Sequence, residues 1–242
     1  MAMQDELDGK QSVGELAAHR PGAMAVLQEA GIDACCSGAE QLEQACQNVG
    51  ISLEELAQRL SAQPAPPAAR DWTQASAAEM ITHLVGVHHA YVRAHAPRLV
   101  RLAAAVRWAH VDRHPELVEM EQIILRLHEE LMAHMNKEEN VLFPYIEQLE
   151  PAAAGRGYLP RPPFGSVRHP IAVMLREHAA AGDELAELRR LSTEYRVPED
   201  ACSYYRGLFQ DLTAFERDLT EHIHLENNIL FPRAERLEAE LN

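Results

Sequence analysis

Apolar positions recur at helical spacing through most of the chain, and the main body reads as four long helices near residues 75–109, 116–148, 169–194 and 198–238. Pro97 predicts a break or kink in the first of them. The Pro- and Gly-rich stretch from Glu150 to Gly165 predicts a long crossover loop between two helical pairs. Four long helices joined by two short connections and one long one describe an all-α four-helix bundle. Shorter amphipathic segments precede the bundle at Val13–Ala17, Ala25–Ala30 and Leu53–Ala57, with Gly31 as a helix stop and Ser52 as a cap. Between the two parts lies a Pro/Ala spacer at 62–69, which divides a small module (1–61) from the main body (70–242). A module of that size buries little apolar surface, so it must lean on a partner, on a second subunit or on the main body.

Composition changes this picture mainly by exclusion. Hydrophobic residues make up 47 % and charged residues 24 %, so intrinsic disorder is not expected. The formal charge is −15, from 22 Lys and Arg against 37 Asp and Glu. A chain this acidic does not suit a nucleic-acid partner, because that binding rests on basic side chains neutralising phosphates. No run of about 18 apolar residues occurs, so no membrane span is expected. The N-terminal residues lack the basic and apolar regions of a secretory signal, which predicts a cytoplasmic protein. The 4 cysteines do not form a disulfide framework.

The most informative feature is a self-match. Residues 134–144 and 222–232 share the pattern H-x-x-x-E-x-N-[VI]-L-F-P at an offset of 88. Leu127, Leu131 and Val141 lie at −7, −3 and +7 from His134; Phe215, Leu219 and Ile229 lie at the same offsets from His222. Each histidine and the glutamate four residues later, Glu138 or Glu226, therefore share a core-facing stripe. A lone H-x-x-x-E pair is usually a solvated helix-surface pair. Two copies in register on apolar seams are different, because an isolated buried carboxylate costs about several kcal/mol unless something compensates it. A shared metal is the economical compensation.

The other helix of each pair should supply a ligand at matching height. His178 lies 44 residues before His222, and His89 lies 45 before His134, with His88 a rival on spacing alone. Ile81, Val85 and Val92 flank His89, and Ile171, Met174, Leu175 and Leu185 flank His178, so both are expected to face inward. The candidate metal ligands are then His89, His134, Glu138, His178, His222 and Glu226. Six such ligands suit two ions, each taking two imidazoles, with both carboxylates bridging and a position left open or solvent-bridged. Mixed nitrogen and oxygen ligation with vacancies favours iron or manganese over structural zinc. The set is richer in histidine than the carboxylate-rich ferritin-like bundles. The remaining histidines, His83, His95, His110, His114, His128, His169 and His224, lack repeat partners and are expected mostly at the surface, with a minority orienting ligands. His169, before Pro170, suits the start of a helix.

Cys35 and Cys36 lie in Asp33-Ala-Cys-Cys-Ser-Gly38, after a helix stop. Adjacent thiols do not face the same way in regular structure, and a disulfide between them would be strained and reducible. They read either as a redox or metal-handling pair or as two small buried hydrophobes. Cys46 and Cys202 read as structural.

The double cysteine in a short helical module, followed by the duplicated histidine–glutamate motif with Leu-Phe-Pro tails, resembles the iron–sulfur cluster repair di-iron proteins (the RIC family). These combine a small ScdA-type N-terminal domain with a hemerythrin-like domain, and the resemblance covers nearly the whole chain. It implies a hemerythrin-like four-helix bundle. It also implies two non-haem irons, oxo- or hydroxo- and carboxylate-bridged, on His89, His134, Glu138, His178, His222 and Glu226. Further implications are a homodimer in the cytoplasm, damaged iron–sulfur proteins as partners, and nitric oxide or O2 as small ligand. Cys35 and Cys36 would serve redox or iron transfer. One departure is Cys35-Cys36-Ser37-Gly38, where members often carry a second glycine in place of Ser37. The same centre would also suit reduction of nitric oxide to nitrous oxide, or simple binding and sensing of nitric oxide or O2. A metal-free bundle is the fourth reading.

Overall fold

The computed structural model describes residues 7–20, 22–62, 70–159 and 161–241. Most of the proline-rich spacer, 63–69, lies outside the described residues. The N-terminal module contains α1 (Val13–His19), α2 (Ala23–Glu29), α3 (Leu42–Val49) and α4 (Leu53–Ala62). Ser12 and Glu15 close a reciprocal cap on α1, Gly31 ends the turn after α2 with φ 79°, and Ser52 Oγ accepts from the Glu55 amide at 3.0 Å. The helix α3 is absent from the sequence reading, although Leu42, Ala45 and Cys46 have helical spacing and are buried. Val13, Leu16, Leu27, Leu42, Leu56 and Leu60 fill a small core of the module's own.

The main body is built from four helical columns, three of them carrying one widened π turn. Column one runs as α5 (Ala77–His83), a π segment at Leu84–His89 and α6 (Ala90–His110). Column two is α7 (Leu117–Lys137), a π segment at Glu138–Leu142 and α8 (Phe143–Ala153). Column three is α9 (Arg168–Leu191), and column four is α10 (Ser203–Leu225), a π segment at Glu226–Leu230 and α11 (Phe231–Leu241). The helix α6 packs between α7 and α10, α7 lies against α9, and α8 lies against α11. No strand occurs among the described residues. No helix among them is long and apolar enough to cross a membrane.

Several expectations change. Pro97 does not break column one; α6 runs through it from Ala90 to His110. The π turns also move the seam. A widened turn adds a residue to the helical repeat, so positions beyond it rotate. Val141, placed on the seam by the −7/+7 pattern, is 47 % exposed, and Leu142 takes the buried place. In column three, which has no widened turn, Leu175 faces outward and Met174 and Ile171 are the inward residues of that turn. His110 and His224 are buried rather than at the surface.

The crossover from 154 to 167 is anchored at its end. Glu238 of α11 accepts from Tyr145 Oη at 2.8 Å, from Ser166 Oγ at 2.5 Å and from the Val167 amide at 2.9 Å. His169 donates from Nδ1 to the Phe164 carbonyl at 2.8 Å, fastening the loop to the first turn of α9.

The module leans on the main body. Asn227 and Asn228, in the π turn of column four, donate to the carbonyls of Cys35 and Ala34 at 2.9 and 2.8 Å. Gly14 and Gly38 make the close approach possible, since a Cβ on either would stand 2.4 or 2.1 Å from Asn228 Oδ1.

Candidate metal centre

The bundle interior holds two apolar clusters. One contains Leu127, Leu131, Met135, Leu219 and Ile223; the other contains Leu84, Leu142, Phe143, Met174 and Leu230. Where they meet, the structure brings six polar side chains together, and all six are buried: His89, His134, Glu138, His178, His222 and Glu226. They fall into two overlapping groups of four. His89, Glu138, His222 and Glu226 form one, and His134, Glu138, His178 and Glu226 the other. In each group the ligand atoms lie within 4.8 Å of one another, and both carboxylates belong to both groups.

The widened turns explain the placement. Both π segments begin at the carboxylate, so Glu138 and Glu226 keep their one-turn spacing to His134 and His222 while the chain beyond them rotates. That rotation brings the Phe of each Leu-Phe-Pro tail onto a histidine of another column. Phe143 stacks on His89 with centroids 5.7 Å apart, and Phe231 stacks on His178 at 6.1 Å with planes 4° apart. The shared tail is thus an apolar lid over the imidazoles, and its proline opens the next helix.

The electrostatics of the cluster suit a cation. Glu138 and Glu226 are fully buried, and among the described residues only imidazoles pair with them. Both oxygens of Glu138 and Oε2 of Glu226 lack hydrogen-bond partners, although imidazole nitrogens stand 3.1–3.4 Å away in ionic range. Burial and the Glu226 charge push Glu138 upward, but His134 and His89 outweigh them and hold it below the usual carboxylate range. Glu226 is held well below that range, against its burial, by His222 and His178. Burial alone would lower His134, yet the charges of Glu138 and Glu226 carry it up to about 9; for His222 burial wins and its basicity falls.

Outer partners fix which nitrogen faces inward. Nδ1 of His89 donates to Glu139 at 2.6 Å, Nδ1 of His134 to Glu177 at 2.8 Å, and Nδ1 of His178 to Asn227 at 2.7 Å. A neutral imidazole whose proton sits on Nδ1 presents a bare lone pair at Nε2. His134 and His178 Nε2 face each other at 3.0 Å, and His89 and His222 Nε2 at 3.2 Å. Once the rings are neutral, nitrogen lone pairs at that distance beside carboxylate oxygens are the donor arrangement that a metal ion satisfies. Buried nitrogen and oxygen donors without thiolate suit iron or manganese.

Sequence reasoning missed Glu139, Glu177 and Asn227. A signal existed: Glu139 and Asn227 occupy the same place in the repeat, one residue after the carboxylate, and Glu177 adjoins His178. His88, the spacing rival of His89, belongs to neither group. Its Nδ1 meets Asp218 at 3.1 Å and its ring stacks on His222 at 5.6 Å. His222 Nδ1 has no hydrogen-bond partner; the fourth imidazole is held instead through Nε2, which stands 3.1 Å from Glu226 Oε1.

The cysteines lie beside this layer, in the loop before α3. Their sulfurs are 3.6 Å apart and both thiols are free, so the irregular loop does turn adjacent side chains to the same side. Cys36 Sγ also reaches the carbonyl of His178 at 3.6 Å. Hydrogen bonding with Cys36, burial and the Asp33 charge all push the Cys35 thiol far up. Both face a cleft of about 410 Å³ between the module and α9 and α10. Asp33, Cys35 and Cys36 form a third group of donors close enough to share a cation. Cys46 is buried in the module core, and Cys202 sits at the N-terminal cap of α10.

Comparison with known proteins agrees with this geometry. Residues 80–234 match the family model described as the hemerythrin HHE cation binding domain. Residues 9–63 match the ScdA_N model, a domain of unknown function. The chain is 37 % identical over 227 residues to an iron-sulfur cluster repair protein YtfE of Dickeya chrysanthemi, covering 93 % of this chain and 97 % of that one. It is 36 % identical over 227 residues to a probable iron-sulfur cluster repair protein of Haemophilus influenzae, covering 93 % and 96 %. Against an iron-sulfur cluster repair protein YtfE of Escherichia coli O157:H7 the identity is 34 % over 224 residues, covering 93 % and 96 %.

Proposed function

The chain belongs to the iron–sulfur cluster repair proteins built on a hemerythrin-type cation-binding domain, and from that premise we propose that it holds two non-haem iron ions and serves to restore damaged iron–sulfur clusters. The observation that carries the proposal is the pair of buried carboxylates common to both ligand groups, three of whose four oxygens lack a hydrogen-bond partner while imidazole nitrogens face them. In this reading His89 and His222 hold one ion, His134 and His178 the other, and Glu138 and Glu226 bridge them. When bound, the iron supplies an exchangeable, redox-active cation with positions left for an oxo or hydroxo bridge and a small ligand.

The chain's own residues set the conditions. Glu139, Glu177 and Asn227 keep three imidazoles with Nε2 turned inward. Phe143 and Phe231 cover two of them and exclude water. Iron is also the cargo of repair, and the proposal gives Cys35 and Cys36 the role of its acceptor on the way out. Their 3.6 Å separation, with Asp33 beside them, suits two sulfurs on one cation. Family resemblance supports three further parts of the proposal: a cytoplasmic protein, a homodimer, and nitric oxide or O2 as the small ligand.

The test is rescue. Iron-loaded protein is expected to restore activity to an enzyme whose 4Fe–4S cluster has been damaged by nitric oxide or peroxide, and His134→Leu is expected not to. Equal rescue by that variant contradicts the proposal. Steady production of nitrous oxide from nitric oxide with an electron donor, without rescue, would replace repair by reduction.

A further inference from the structure

The two copies of the repeat differ at one place that touches the ligand layer: the residue after the carboxylate is Glu139 in the first and Asn227 in the second. Both accept from a histidine Nδ1 on another column, Glu139 from His89 and Asn227 from His178. Asn227 also reaches the module. Its Nδ2 donates to the Cys35 carbonyl at 2.9 Å. A carboxylate could not do this, since it has no proton to give a carbonyl. The amide's orientation is therefore set by the module: with NH2 facing Cys35, only Oδ1 faces His178. A proton must then sit on His178 Nδ1, which leaves Nε2 bare. In the first copy the equivalent acceptor is held by Arg93 at 2.7 Å, from within the bundle.

We infer that Asn227 is a positioning residue that couples the seating of the cysteine loop, residues 34–38, to the ring state of His178 and so to one of the two metal positions. The loop has further reason to be seated there. Asn228 Nδ2 donates to Ala34 O and also reaches Nδ1 of the buried His224 at 2.9 Å. Cys36 Sγ reaches the His178 carbonyl at 3.6 Å. Lifting the loop would free the Asn227 amide to turn, and the ligand it holds would lose its fixed orientation. The metal position holding His178 thus senses whether the thiol loop is docked, whereas the position holding His89 does not.

This inference rests on His178 being a ligand, so its first readout uses the full chain without metal. Ring 15N shifts of His178 are expected to show a single Nδ1–H form in the parent and a mixture in Asn227→Ala. Asn227→Asp keeps the acceptor but loses the donor; the His178 form is expected to persist while amide exchange of residues 34–38 rises about 10-fold or more. On adding iron, Asn227→Ala is expected to weaken one of two binding events by about 10- to 100-fold and leave the other unchanged. An unchanged His178 ring in Asn227→Ala, or undisturbed exchange at 34–38 in Asn227→Asp, overturns the coupling. A parent that binds no iron yet shows the expected ring behaviour overturns the metal reading and leaves the coupling standing.

Discussion

The double substitution Glu138→Gln/Glu226→Gln is expected to reverse its effect on stability with the metal content of the protein. In the metal-free chain each carboxylate is fully buried and leaves oxygens without hydrogen-bond partners. An amide of the same shape carries no charge, removes the repulsion between the two acids and can donate to a facing bare Nε2. Replacing a buried ion pair by neutral groups of similar volume is often neutral or stabilising, by about 1–4 kcal/mol, and here the imidazoles can shed their protons once the acids are neutral. The double variant should therefore unfold at equal or higher urea than the parent when a chelator is present. With iron the order inverts. A ligand that binds only the folded state adds about 4 kcal/mol when present at about 1,000 times its dissociation constant, and an amide bridges two cations poorly. The parent should gain that amount while the variant gains little. A variant that is less stable than the parent both with and without metal would show that the carboxylates are structural.

Phe231→Ala is expected to be the most damaging single change in the bundle. Phe231 is buried in the upper apolar cluster, beyond the widened turn of column four, and lies parallel to the His178 ring. Truncating a buried Phe costs about 3–5 kcal/mol through lost transfer energy and the cavity left behind. Phe231→Leu separates the two roles of the ring. It should recover most of the stability, because bulk is nearly kept, but leave the imidazole without a flat wall. Urea unfolding and iron affinity measured on both variants decide this. If Phe231→Leu binds iron as the parent does, the aromatic ring repeated in the two tails serves packing only.

The repeat made much of this legible. Two matched histidine–glutamate steps on apolar seams put four of the six clustered residues on facing helices, and the spacing to the upstream helices supplied His178 and His89. The four columns follow equally from helical periodicity and from the Pro/Gly-rich stretch before residue 168. What stayed hidden has common causes. A widened helical turn leaves no mark in residue types, so the residue pattern places Val141 on a seam that the rotated backbone gives to Leu142; Leu175, on a column without such a turn, lies one position off the buried stripe of Ile171 and Met174. Pro97 sits within a helix whose packing between two neighbours overrides the lost hydrogen bond. His110 and His224 have no repeat partner, and their burial is decided by elements far away in sequence. For His224 that element is the module, whose docking rests on Asn228 and on two glycines that admit it. The roles of Glu139 and Asn227 were readable in principle, because they occupy one position of the repeat, but nothing in the sequence shows that this position reaches across to another column.

In the proposed centre six buried side chains hold two cations between them. Elemental analysis of freshly purified full-length protein, alongside Glu138→Gln/Glu226→Gln, tests it most directly. About two iron atoms per chain are expected in the parent, falling to a trace in the variant while its helical content is unchanged. A parent that carries no metal, or a variant that keeps the parent's iron, would contradict the account.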